Sequence, residues 1–244
     1  MERASFLMLA LFGGFIGSLM SGGSLVTLFI LNLLDIPTKV AIGTLKMVIA
    51  LLTLISSMAY FRAGVLKNLK LVNTLTLFSL VGAYLGSSFL LSISDRAAKI
   101  LVLVLLLIGT YFALKEQKPT PVLKGNLWQA LIGLIIGVYV GILGIASTLI
   151  IISAISLFLH MDILESNATA KVIIFANNFV AFLNYASQDS INYSLGILLG
   201  VPVIIGSWLG AKVAVKIGSK KLKVIFLIMA LLTAFRILEE LLTL

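Results

Sequence analysis

The sequence predicts an all-α polytopic integral membrane protein of two inverted-topology repeats, each a broken-helix hairpin followed by three transmembrane helices. Three observations lead there: a composition that excludes a soluble domain, long apolar runs interrupted by small residues, and a self-match whose loop charges change sides between the two copies. Of the 244 residues, 61% are hydrophobic and 11% charged, with a mean hydropathy of +1.19. A soluble domain carries about 45–50% apolar and about 25% charged residues. The charges here sit in short intervals between apolar runs, so the lipid bilayer is the expected solvent and partner. Eighteen Lys and Arg against nine Asp and Glu give +9. Without interleaved aromatics this excess reads as loop charge that sets orientation, and no nucleic acid is expected as a partner. The lack of cysteine removes disulfides, thiolate metal sites and a cysteine nucleophile.

Charge-free runs cover residues 4–34, 71–94, 125–159 and 190–211, each long enough to cross roughly 30 Å of hydrocarbon. Residues 40–61, 100–114, 172–188 and 224–235 are nearly as apolar. Met1-Glu2-Arg3 ahead of apolar sequence imitates a secretory signal, but the run is about twice the length of a signal core and is expected to stay uncleaved. The runs at 4–34 and 125–159 are too long for one helix. The first is expected to break at Ser21-Gly22-Gly23-Ser24 and the second near Gly141-Ile142-Leu143-Gly144. Glycine loosens a helix ladder, and lipid tolerates such a break only where protein or a wet cavity covers it. Gly13-x-x-x-Gly17 and Gly133-x-x-x-Gly137 are expected to be helix-packing faces.

The chain matches itself at an offset of about 125 residues. Gly43-Thr44-Leu45-Lys46 falls on Ala168-Thr169-Ala170-Lys171, Tyr60 on Tyr185, and Gly82 to Gly86 on Gly206 to Gly210. This divides the chain into a first repeat at 1–114, a linker at 115–124 holding Pro119 and Pro121, and a second repeat at 125–244. Arg62, Lys67 and Lys70 fill one loop of the first repeat, whereas its counterpart near 187–193 has Asp189 and no basic residue. Conversely Lys212, Lys216, Lys220, Lys221 and Lys223 crowd a second-repeat loop whose counterpart holds only Arg96 and Lys99 beside Asp95. The repeats are therefore expected to be inverted. With the broken run as a hairpin, the linker and these basic loops are cytoplasmic, both termini are extracytoplasmic, and the bias follows the positive-inside rule.

Two basic residues remain outside the loops, Lys46 and Lys171, at the same repeat position. From helix starts near Thr38 and Glu165 they lie roughly 12 Å and 9 Å deep, coming from opposite faces toward a common midplane site. The alternative is a pair of lysines whose stems snorkel to the interface. Repetition in both halves and the cost of a buried ammonium favour function. Lysines at such a site would hold an anion. Half-helices starting near Ser24 and near Ser147-Thr148 would aim free amides at the same region, with Ser21, Gly22, Gly23, Ser24, Gly144, Ser147 and Thr148 around it. Asn167 and Asn178 share the face of Lys171, with Asn177 adjacent; the competing role for such asparagines is helix-helix adhesion. Thr44 and Thr169 are further candidates that could instead bond their own backbone. No Asp, Glu or His is expected inside a crossing; His160, Asp162 and Glu165 read as solvated loop charge. With no HExxH, metal-spaced cluster or Walker loop, no cofactor and no enzyme activity is expected.

The glycine-rich opening of each half, the elements at Ala41 to Lys46 and Ala168 to Lys171, and the elements at Gly82 to Gly86 and Gly206 to Gly210 resemble the TauE/SafE family of sulfite and organosulfonate transporters. The resemblance covers most of the chain. It implies transport of sulfite, sulfoacetate or related small sulfur anions across the cytoplasmic membrane. The expected function is a secondary transporter with a midplane anion site; an anion channel would use the same site without alternating access.

Overall fold

The computed structural model describes residues 3–20, 22–34, 36–94, 97, 100–101, 104, 126–142, 147–159 and 161–242. The described residues are helical, with no strand: α1 Arg3–Leu19, α2 Gly23–Asn32, α3 Thr38–Arg62, α4 Leu69–Ser92, α5 Asn126–Ile142, α6 Ser147–Leu159, α7 Ile163–Ala186 and α8 Tyr193–Leu242. Ser21, Gly144, His160, Arg96, Lys99, the linker at 115–124 and most of the apolar stretch at 100–114 lie outside the described residues.

Three of these helices are long and apolar enough to cross a membrane, α3, α4 and α8 as far as Ile225. The first long run does break: α1 stops at Leu19, and Gly22 caps α2 at φ 104°, a left-handed conformation that costs any residue with a Cβ. In the second run α5 is described to Ile142 and α6 from Ser147, and the expected break at 141–144 lies largely outside the described residues. The Lys-rich loop expected at 212–223 is short: α8 is two helices that meet at a non-helical break at Gly218, φ 72° and ψ 175°, and the lysines on either side of it are helical. Lysine is a good helix former, and its stem can lie along apolar surface while the amine reaches water. Lys212 instead sets its amine over the face of Trp208, its Nζ 3.5 Å from the ring centroid.

The packing pairs helices from distant parts of the chain. α1 packs on α8, α4 on α5, and α3 crosses α7 at the centre, with α3 also touching α8 and α4 touching α7. Glycines set the closest approaches. Gly206 and Gly210 lie on the carbonyls of Leu11 and Phe15, and Gly82 and Gly86 lie on those of Leu134 and Val138. Bare carbonyls can be approached this closely only by a residue without a side chain. α3 and α7 run antiparallel, because Asn167 at the start of α7 meets Tyr60 at the end of α3, whereas Gly43 at the start of α3 meets Tyr185 at the end of α7. Each of the two ends in a turn with a left-handed residue, Gly64 at φ 68° and Asp189 at φ 50°.

Contacts between loops define two ends. Lys67 lies 4.0 Å from Asp162 and 3.9 Å from Glu165, and the Ser219 hydroxyl donates to Asp162 at 2.8 Å, so the α3–α4 turn, the start of α7 and the α8 break share one end. At the other end Lys39 donates to the Leu91 carbonyl at 2.8 Å, and the backbone N–H of Asn192 donates to Thr44 at 2.9 Å. Between the ends the outer surface is apolar, with Leu77, Val81 and Leu85 of α4 and Val201 and Ile205 of α8 exposed, as a lipid-facing belt requires.

Candidate functional site

A helix that stops inside a bilayer leaves carbonyls that need donors. The carbonyl end of α1 receives them from side chains far along the chain. Lys171 Nζ donates to Gly17 O at 2.5 Å and Met20 O at 3.0 Å, Tyr60 OH donates to Ser18 O at 2.9 Å, and Asn167 Nδ2 donates to Leu19 O at 3.0 Å. Asn167 Nδ2 also donates to Tyr60 OH at 2.9 Å. A cation belongs at this negative end of the helix dipole. Lys46 repeats the arrangement in part, donating to the Val140 carbonyl near the end of α5 at 2.5 Å. Both lysines are 0% exposed, so their amines are held on interior carbonyls instead of reaching outward to an interface.

Beside Lys171 lies a cavity. Gly22, Gly23 and Ser24 line it from the start of α2, and Ser147 and Thr148 from the first described turn of α6. Ile49, Leu52 and Thr53 of α3, with Ile174 of α7 and Gly17 of α1, complete the wall. It has room for little more than one water-sized molecule. The N-terminus of α2 borders this small space, and such a terminus presents free amides and the positive dipole end. Lys171 also lines it, and its third polar neighbour is Thr148 Oγ1 at 3.5 Å. The arrangement is suited to an anion.

Of the residues singled out from sequence, Gly22, Gly23, Ser24, Ser147, Thr148 and Lys171 come together on this cavity. Lys46, Thr44, Thr169, Asn167, Asn177 and Asn178 are not on its wall. Thr44 bonds the Val40 carbonyl at 2.7 Å and the turn before α8. Asn177 accepts from Ser79 at 2.8 Å, and Asn184 donates to Ser87 and Ser88 at 2.9 Å, joining α7 to α4. Asn178 donates to the Ile174 carbonyl at 2.8 Å. Several buried polar atoms on α7 have no partner among the described residues: Asn167 Oδ1, Thr169 Oγ1, Asn177 Nδ2 and Asn178 Oδ1. Sequence reasoning passed over Thr53 and Tyr60. Thr53 sits seven residues after Lys46 on the same helical face, a spacing that could have found it.

Apolar helices of membrane-crossing length around a buried, cation-bearing polar cavity define a membrane transport protein. The profile described as "Sulfite exporter TauE/SafE" matches residues 6–237, and the chain belongs to that family. It is 26% identical over 242 residues to a probable membrane transporter protein ORF9 of Sinorhizobium sp, covering 97% of this chain and 92% of that one. A probable membrane transporter protein of Haemophilus influenzae is also 26% identical, over 231 residues covering 93% and 90% of the two chains. No solved structure matches.

Proposed function

We propose that the protein is a secondary transporter of a small sulfur-containing anion, sulfite or an organosulfonate, which binds between Lys171 and the N-termini of α2 and α6. The observation that carries this is the meeting of Gly22, Gly23 and Ser24 at the start of α2 with Ser147 and Thr148 of α6 at a buried ammonium bonded to carbonyls and a hydroxyl, with no carboxylate on the cavity wall among the described residues. Two inverted repeats, 1–114 and 125–244, are the architecture that would bring equivalent breaks to one place from opposite faces. The matched glycine contacts of α4 on α5 and α8 on α1, and the antiparallel crossing of α3 and α7, support that arrangement. The basic end, holding Lys67, Lys70, Lys220 and Lys221, would face the cytoplasm and leave both termini outside. A cavity this small supports a carrier over an open pore.

The test is flux into proteoliposomes containing the purified protein, with sulfite, sulfonates, thiosulfate and carboxylates offered in turn. Saturable sulfite or sulfonate uptake with counterflow is the expected result. Unsaturated flux with single-channel currents would make it a channel, and preference for carboxylates would overturn the sulfur-anion assignment.

A further inference from the structure

Between the cavity and the Lys67 end lies a hydrogen-bonded knot whose Tyr–Asn bond has no counterpart at the other end among the described residues. On α3 the cavity residues are Ile49, Leu52 and Thr53, and Tyr60 is about two turns nearer the Lys67 end. On α7 they are Lys171 and Ile174, and Asn167 is about one turn nearer that same end. Tyr60 and Asn167 bond each other, and between them they hold the carbonyls of Ser18 and Leu19. Both residues are fully buried. Three elements, α1, α3 and α7, are thus fastened together across the way from the cavity to one face of the protein.

At the opposite end the counterparts of Ser18 and Leu19 lie outside the described residues, and the counterparts of Tyr60 and Asn167 do not bond each other. Tyr185 stands where Tyr60 stands and is equally buried, yet its hydroxyl has no partner among the described residues. About 125 residues before Asn167 the chain has Ile42, which offers no donor. A buried hydroxyl without a partner is costly, so the Tyr185 end gains nothing from this closure that the Tyr60 end does gain.

We propose that Tyr60 and Asn167 form a one-sided latch: positioning residues that hold the carbonyl end of α1 shut toward the Lys67 end and so bias the cavity to open toward the Tyr185 end. The proposal rests on the transporter reading above. A two-state protein moves only as far as its differential contacts allow, and among the described residues the Tyr–Asn bond exists at one end only. Lys171 grips the same helix end through Gly17 and Met20, so an anion that attracts its ammonium weakens the closure that the latch maintains. Substrate would then ease the opening that the empty protein resists.

The chain has no cysteine, so Thr53→Cys gives a single thiol on the cavity wall. Its labelling by a membrane-impermeant maleimide is measured from each side of sealed vesicles of known orientation. Asn167→Ile should raise the ratio of labelling from the Lys67 end to labelling from the other end about tenfold, the effect of one or two lost hydrogen bonds on a two-state equilibrium. Tyr60→Phe, which leaves Asn167 on the Leu19 carbonyl, should shift it the same way by a smaller factor and decides the matter if Asn167→Ile does not fold. An unchanged ratio in monodisperse protein overturns the latch. Sulfite protection of the Thr53→Cys thiol with the latch intact reports separately on the anion site: its absence would remove the anion reading without touching the sidedness result.

Discussion

A lysine buried in a bilayer needs acceptors for three N–H groups, and Lys171 finds two in the carbonyls of Gly17 and Met20. The third N–H has only the long bond to Thr148 Oγ1 at 3.5 Å, and it is the one the proposed anion would take. Lys171→Ala is therefore expected to weaken sulfite binding roughly ten- to hundredfold, since a charge-assisted bond is worth about 1.5–3 kcal/mol. Lys46→Ala should weaken it far less, because Lys46 lies off the cavity wall on the Val140 carbonyl. Calorimetry on both variants checks this, and equal losses would return the two lysines to one shared site. The lysines were legible in the sequence as ammonium groups too deep for a loop. Their partners were not, since periodicity shows which residues share a face but not which helix end lies opposite; Tyr60 and Asn167 meet across 107 residues. Asp162 shows the same limit: read as loop charge, it caps α7 by accepting from the Glu165 N–H at 3.0 Å. Partial burial works to raise its pKa, but the Glu165 and Leu164 amides, the Ser219 hydroxyl and the Lys67 charge outweigh that and hold it below its ordinary 3.8. A depressed carboxylate stabilises the fold above the unfolded value and loses that contribution as pH falls through the folded one. Asp162→Ala should thus cost about 1 kcal/mol near neutrality, as a lost N-cap does, and less in acid. Thermal unfolding at neutral and acidic pH measures the difference.

Helix contacts in this protein are of two kinds, backbone against backbone and backbone against flexible side chain, and they should respond differently to a methyl group. A Cβ at Gly206 would run into the Leu11 carbonyl and come within 2.8 Å of the Phe15 nitrogen, so α1 and α8 would have to part. At Gly196 the nearest atoms belong to the Met47 thioether, which can swing away. Gly206→Ala is expected to cost about 1–3 kcal/mol, the usual range for overpacking, and Gly196→Ala clearly less. Unfolding temperatures in detergent compare them; equal losses would mean that the helices are not held at carbonyl distance. The break at the centre of the first long run could be read from its small residues, but the shortness of the break in α8 could not, because a density of lysines looks like a long loop when only charge is counted. Gly23 also has two roles. It lines the cavity, and a Cβ there would meet the Gly13 carbonyl at 2.7 Å, so a bulky side chain at this position disturbs the hairpin as well as the site.

For the whole molecule, the segregation of Lys67, Lys220 and Lys221 from Lys39 and Gln188 predicts which end faces the cytoplasm. A single cysteine at Gln188, exposed in the turn after α7, should label with an impermeant reagent on intact cells, and one at Lys220 should label only after lysis. The reverse pattern would invert the orientation. A membrane protein of transporter composition was plain from hydropathy, and family membership accords with the motifs and their order. The pairing of α1 with α8 was not, because glycines advertise a close neighbour without naming it. That pairing also bears on biogenesis. α1 has its main contact with the part of α8 that holds Gly206 and Gly210, so α1 must wait in the membrane with its glycine face uncovered until that segment is made. Assembly then depends on contacts of long sequence separation, which form slowly and leave the nascent chain open to wrong partners. A ribosome stalled before α8 would release an orphan that quality-control proteases should clear, whereas the two halves made as separate polypeptides in one cell should find each other, since each carries the surface that the other lacks.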